Sequence, residues 1–203
     1  MYKKSAIEQD RRCNSGTGDD SCRIMEFMVN AMELSTDRAW TEVEIKTFDF
    51  ELPLTGKLGV ECRSGGTQGN YTLVLRFTNQ LNTSGNVSVT SGLGSVSGTP
   101  IIKNNTMTVN LTGVANGQKI VVTLANVTDK YGRTRASAKV PVGILLGDVD
   151  GNKTVDNKDV NLVTAKVGAT AGATNLRNDV NVDGSITQDD VTVTQAQVGT
   201  SIP

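Results

Sequence analysis

Residues 147–168, "GDVDGNKTVDNKDVNLVTAKVG", and residues 178–199, "NDVNVDGSITQDDVTVTQAQVG", carry one pattern twice at an offset of 31 positions. At that offset Asp148 meets Asp179, Asp150 meets Asn181, Asn152 meets Asp183, and Asp159 meets Asp190. The apolar positions keep step: Val155 meets Ile186, Val160 meets Val191, Val167 meets Val198, and Gly168 meets Gly199. A repeat that preserves both oxygen-bearing and apolar positions constrains the fold more than any other feature of the chain. It also poses a problem, because carboxylates crowded into one turn repel one another unless a positive charge sits among them.

Each copy fits a twelve-residue loop with oxygen ligands at positions 1, 3, 5, 7, 9 and 12, the arrangement that suits calcium. The first copy offers Asp148, Asp150, Asn152, the carbonyl of Thr154, Asp156 and Asp159. The second offers Asp179, Asn181, Asp183, the carbonyl of Ser185, Thr187 through a water, and Asp190. Alternation turns every second side chain inward. A donor set of oxygen without nitrogen or sulfur excludes zinc as the intended metal, and magnesium prefers to keep its waters. The expectation is two Ca2+ ions, one in each loop.

The two loops differ at position 6, where a sharp turn favours glycine: Gly184 stands in the second and Lys153 in the first. Gly151, two positions earlier, offers the first loop some freedom. Position 8, Val155 and Ile186, is β-branched and is expected to pair the two loops through a short strand. After each loop a helix is expected, with Asp159 and Asp190 in the first turn, where carboxylates suit the helix dipole. Val160, Val163 and Val167 form one apolar stripe; Val191, Thr194 and Val198 form its counterpart. Helices so rich in β-branched residues are weak alone, so metal binding is expected to supply much of this zone's folding energy.

The rest of the chain divides in two. Residues 1–45 are charged and Met-rich, with one helical stripe (Ile24, Met28, Ala31, Met32), and read as a poorly ordered or non-native leader. From 46 to 143 the period becomes two: "TFDFELPL", "YTLVLRF", "NVSVTS", "TMTVNLTG", "KIVVTLANV" and "ASAKVPVG" alternate, with turn signals between them. Asn116-Gly117 reads as a tight hairpin turn with both residues at positive φ. Six or seven short strands over that length match an immunoglobulin-like β-sandwich. The chain is thus expected to be mainly β, an Ig-like sandwich followed by a small helical domain over 144–203 with two EF-hand-type loops.

Composition narrows the chemistry. The chain has no histidine, which removes His-based dyads, general bases and metal sites together. A net charge of −1 gives no basic face for nucleic acid, and no stretch is long and apolar enough to span a membrane. Three cysteines, Cys13, Cys22 and Cys62, cannot all pair within one chain. Asp49, Glu51 and Glu61 are the acidic residues near the first strand. Asp49 and Glu51 alternate with Phe48, Phe50 and Leu52, so they read as a solvated face rather than catalytic carboxylates. Tyr71, Tyr131 and Trp40 are the few rings on which a sugar could stack.

Duplicated loop-plus-helix calcium repeats lacking the first helix of an EF-hand resemble the type I dockerin domain, over about 57 residues at the C-terminus. The resemblance implies a non-enzymatic, calcium-dependent docking module at the end of a larger secreted bacterial protein, with a cohesin-like module as its partner. The preceding segment looks like the Ig-like spacer found before such tails. It implies an extracellular or cell-surface location and, with no apolar leader at the N-terminus, a chain that has lost its upstream part. Two other readings follow: the tail of a carbohydrate-active enzyme acting in polysaccharide breakdown, or a carbohydrate- or surface-binding sandwich. The family often reads its partner with Ser-Thr just before the last loop Asp and Lys-Arg farther along the helix. Here those places hold Asn157-Lys158 and Gln188-Asp189, then Thr164-Ala165 and Gln195-Ala196.

Overall fold

The structure, a computed structural model, describes residues 58–203 and the backbone of two short strands before them, β1 (Ile24–Phe27) and β2 (Val43–Glu44). Eight strands follow: β3 (Val60–Glu61), β4 (Tyr71–Phe77), β5 (Leu81–Thr83), β6 (Asn86–Ser91), β7 (Ser95–Lys103), β8 (Thr106–Thr112), β9 (Gln118–Asp129) and β10 (Thr134–Ile144). Two helices close the chain, α1 (Asn157–Thr164) and α2 (Gln188–Gln195). The protein is therefore mainly β.

Alternation builds the two sheets. In β4, Tyr71, Leu73, Leu75 and Phe77 are all buried, and on β8 the residues facing them in register are Leu111, Val109 and Met107. β7 flanks β8, while β1 (parallel) and β2 pair with the far side of β4. The second sheet runs β3-β10-β9-β5, with β6 also on β9. Its cross-strand pairs Ile120–Val142 and Val122–Val140 are fully buried. Inward-facing residues of both sheets share one core, so the sheets pack face to face. Asn126, at φ 58, breaks the alternation of β9, and Val127 and Asp129 turn inward in the opposite phase.

Several expectations change here. The first residues of the supposed helical stripe, Ile24–Phe27, are a strand, because the open edge of β4 offers them a backbone ladder. The rest of that stripe lies outside the described residues, as do "TFDFELPL" with Asp49 and Glu51, Trp40, Cys13 and Cys22. Asn116-Gly117 is not a hairpin turn. β8 and β9 belong to different sheets, and only Gly117 has positive φ, at 72°. Asn116 is a connector instead: its Oδ1 accepts from Leu146 N at 2.7 Å and its Nδ2 donates to Gln197 Oε1 at 3.0 Å. The tight hairpin lies at Asn104-Asn105 between β7 and β8, with Asn104 at φ 56.

The C-terminal segment starts where β10 ends at Ile144 and is fastened to the second sheet. Val60, Leu145, Val155 and Ile202 form a small apolar junction, and a Cβ on Gly143 would lie 2.7 Å from Ile202 Cδ1. Backbone bonds bridge it as well: Gly147 N donates to Cys62 O (2.8 Å) and Ser64 N to Val180 O (2.7 Å). Cys62 is a free thiol, fully buried, and burial pushes its pKa up to about 12. Such a thiol is inert as a nucleophile at neutral pH.

Candidate metal centre

Each loop ends in its helix, and the same residues serve both. Asp156 is the N-cap of α1, and Asp159 returns a bond to the cap's own amide. Thr187 and Asp190 do the same for α2. Capping boxes of this kind satisfy two of the amides a helix start leaves open. The helices are one residue over two turns in length, ending at Thr164 and Gln195, so the expected stripes are cut short. Val163, Val191 and Thr194 are buried, whereas Val167 and Val198 lie past the helix ends, exposed. Threonine hydroxyls bond back to carbonyls one turn earlier, Thr164 to Val160, Thr192 to Gln188 and Thr194 to Asp190. Such back-bonding favours short helices.

The hydrogen bonds inside the two loops are the same bonds, displaced by one repeat. Asp148 Oδ1 accepts from Asn152 N (3.0 Å) and Oδ2 from Lys153 N (2.9 Å); Asp179 accepts from Asp183 N and Gly184 N, both at 3.1 Å. Asp159 accepts from Asp150 N and Asp156 N, both at 3.0 Å, and Asp190 accepts from Asn181 N (3.0 Å) and Thr187 N (2.8 Å). Asn152 Oδ1 takes Thr154 N, and Asp183 Oδ1 takes Ser185 N. The first and last carboxylates of both loops are buried: Asp148, Asp159 and Asp190 at 0 % exposure and Asp179 at 2 %. Among the described residues, the carbonyls of Thr154 and Ser185 accept no hydrogen bond.

Backbone strain is shared between the loops. Lys153 adopts φ 77 and Gly184 φ 91 at position 6; at position 4, Gly151 adopts φ 72 and Val182 φ 65. Each loop therefore needs two left-handed residues and has one glycine, in opposite order. The non-glycine costs about 1–2 kcal/mol in either case.

Position 8 does not pair the loops with each other. Val155 N donates to Thr200 O and Ile186 N to Ala169 O, each loop bonding the chain that leaves the other repeat's helix. The isolated bridges Thr154–Ser201 and Thr170–Ser185 obey the same 31-residue offset. Gly168 (φ 91) and Gly199 (φ 92) make the left-handed turns that bring those exits back.

Do the residues suit a cation? Asp148, Asp150 and Asp159 each offer a carboxylate oxygen within 4.8 Å of the others. Two ligands on opposite sides of a calcium ion stand at most roughly 5 Å apart, so one ion can touch all three. This acidic cluster can hold a metal ion. In the second loop Asn181 replaces Asp150, leaving an amide oxygen in that place. The electrostatics point the same way. Burial, together with the charge of Asp159, pushes Asp148 up to about 6 despite the amides and Arg177 that oppose the shift. Burial and the charges of Asp190 and Asp183 raise Asp179 likewise. Arg177 near Asp148 and Arg63 near Asp179 offset part of this charge, yet burial keeps both carboxylates shifted upward.

Two residues outside the expected ligand set also matter. Arg177, in the 3-10 turn Leu176–Asn178 before the second loop, donates to Val149 O (2.6 Å), to Asp148 O and to Val60 O (2.9 Å). It ties the first loop to β3. No periodicity marks it, since position 177 falls between the repeats. Lys158 reaches back to Asp150, Nζ to Oδ2 at 2.7 Å; burial would raise Asp150, but the Lys158 ammonium and the Asn152 amide hold it below the ordinary range. Among the described residues, the other acidic and aromatic candidates (Glu61, Tyr71 and Tyr131) do not gather into a site. Glu61 is buried and paired with Arg63 at 2.9 Å, and Tyr71 lies in the core. Tyr131 is 65 % exposed, between Lys130 and Arg133.

The chain matches no family model, no curated protein and no solved structure.

Proposed function

We propose that residues 144–203 form a calcium-stiffened, dockerin-like docking module, carried on an Ig-like spacer at the end of a larger secreted protein. The observation that carries this reading is the duplication of one hydrogen-bonded acidic loop, with its terminal carboxylates buried in both copies. Burying a charged carboxylate is costly even when backbone amides bond to it; doing so four times, in register, makes sense where a dication completes each ring. Asp148, Asp150, Asn152, Asp156 and Asp159, with the Thr154 carbonyl, would hold one Ca2+. Asp179, Asn181, Asp183 and Asp190, with the Ser185 carbonyl and Thr187, would hold the second.

Bound calcium supplies charge neutralisation and a fixed loop geometry, and this chain's residues supply the surface that geometry holds out. That surface is the exposed part of α1 and α2 with Val167 and Val198 beyond them. A cohesin-like module is the partner the resemblance suggests, read through side chains other than the Ser-Thr and Lys-Arg pairs common in that family. Calorimetric titration with Ca2+, reversed by EGTA, tests the reading; two ions per chain with a gain of helical circular dichroism are expected. Pull-down against cohesin modules with and without EGTA tests the partner. Retention that ignores the chelator would count against a calcium-dependent interface.

A further inference from the structure

Resting on the calcium reading above, we infer that Lys158 makes the first loop the weaker ion site, by holding its ammonium on a ligand carboxylate that the ion must share. The ligands alone rank the loops the other way: four carboxylates (Asp148, Asp150, Asp156, Asp159) in the first, three (Asp179, Asp183, Asp190) in the second. Affinity in such loops rises with ligand charge. Backbone strain does not separate them, since each has one non-glycine in the left-handed region. Each loop also has an arginine near its first carboxylate, Arg177 by Asp148 and Arg63 by Asp179, and a clear difference lies in the residues between the ligands. Residues 148–159 contain two lysines, Lys153 and Lys158, and a net charge of −2; residues 179–190 contain no lysine or arginine and a net charge of −4.

Of the two lysines, Lys158 makes the contact. Its Nζ lies 2.7 Å from Asp150 Oδ2, and Asp150 Oδ1 already accepts from Asn152 N at 3.1 Å. One repeat later the same position is Asp189, whose negative charge attracts an ion rather than repelling it. An ammonium one carboxylate away from a dication opposes binding by direct Coulomb repulsion. Because the Lys158 side chain is 68 % exposed, water and salt screen that repulsion, and the handicap is about three- to tenfold in affinity.

The test is calcium titration of the full chain by calorimetry at low and high ionic strength. Asp190→Ala reports the first loop alone and Asp159→Ala the second. Lys158→Gln is expected to tighten the weaker constant about three- to tenfold at low salt and to leave the stronger one in place. Lys158→Arg should keep the wild-type values, and Asp189→Lys should weaken the second loop. High salt should narrow the difference between Lys158→Gln and wild type. Where a single-site variant fails to fold, Lys158→Gln in the otherwise intact chain still gives both constants. Unchanged constants in Lys158→Gln at low salt, or a change confined to the tighter site, would overturn the assignment. A wild-type chain that binds no calcium fails differently: it removes the calcium reading itself, and the ranking with it.

Discussion

The sandwich and the C-terminal segment solve the same problem with opposite means. The sandwich buries sixteen hydrophobic side chains in one cluster, including Leu73, Leu75, Met107, Ile120 and Leu124. The C-terminal segment has five in its own cluster, Val149, Val163, Val180, Ile186 and Val191, and surrounds them with buried carboxylates. Apolar burial contributes about 25 cal/mol per Å2, so valines and one isoleucine cannot carry a segment of that length unaided. One further support is the junction with β3; on the calcium proposal, the charge of bound ions among its loops is the second. The difference teaches that the two halves bury different chemistry: the sandwich almost wholly apolar side chains, the C-terminal segment a small apolar cluster beside charged carboxylates.

Leu75→Ala should produce the largest effect. Leu75 is fully buried against Met107 on the neighbouring strand, and truncation at such a site costs about 2–5 kcal/mol. The loss, read from urea unfolding, should be the same in Ca2+ and in EGTA. A calcium-dependent loss would break the distinction between the halves.

Asp190→Ala comes next. It removes a proposed ligand and the capping bond to Thr187 N. At calcium a hundredfold above its Kd the lost linkage is about 3 kcal/mol. The loss should vanish in EGTA apart from roughly 1 kcal/mol for the cap, as read from helix-region amide exchange.

Acidification should separate the halves by sign. Asp148 and Asp179 have raised pKa values, so without metal the folded state holds their protons more tightly than the unfolded state. Lowering pH from 8 towards 5 therefore stabilises the metal-free C-terminal segment, and the same protonation weakens calcium binding as pH falls through about 6. Glu61, at the edge of the sandwich, behaves oppositely. Burial opposes its charge, but Arg63 overrides this and holds it below the ordinary carboxylate value. Its contribution is present above the unfolded pKa of about 4 and is lost only as pH falls further, through the folded value. Melting curves between pH 8 and 3, with and without calcium, measure both trends.

The smallest expected effect is Lys153→Gly. It relieves a left-handed non-glycine residue at φ 77 but adds freedom to the unfolded chain. The net gain is about 0.5 kcal/mol, confined to the C-terminal transition.

Much of this arrangement is legible in residue order. β4 occupies the alternating run "YTLVLRF", and both helices begin where the repeats place Asp159 and Asp190. β7 is harder to see, because "SVSGTPIIK" holds a glycine and a proline and most of its residues are exposed. The Asn116-Gly117 signal is local and true to its chemistry at Gly117, yet local chemistry does not say which sheet the next strand joins. The exchange of Val155 and Ile186 between repeats escaped for the same reason. A period names equivalent positions, and only packing decides which of them meet. Arg177 carries no pattern at all, since its partners are backbone carbonyls far away in sequence.

The central claim is that a dication among the carboxylates completes the C-terminal half. Residue-resolved hydrogen exchange in millimolar Ca2+ and in EGTA tests it most directly. Slow exchange at 148–203 in calcium that collapses in chelator, with Leu73, Val109 and Val122 unchanged, is the expected result. Equal protection of both halves under the two conditions would contradict it.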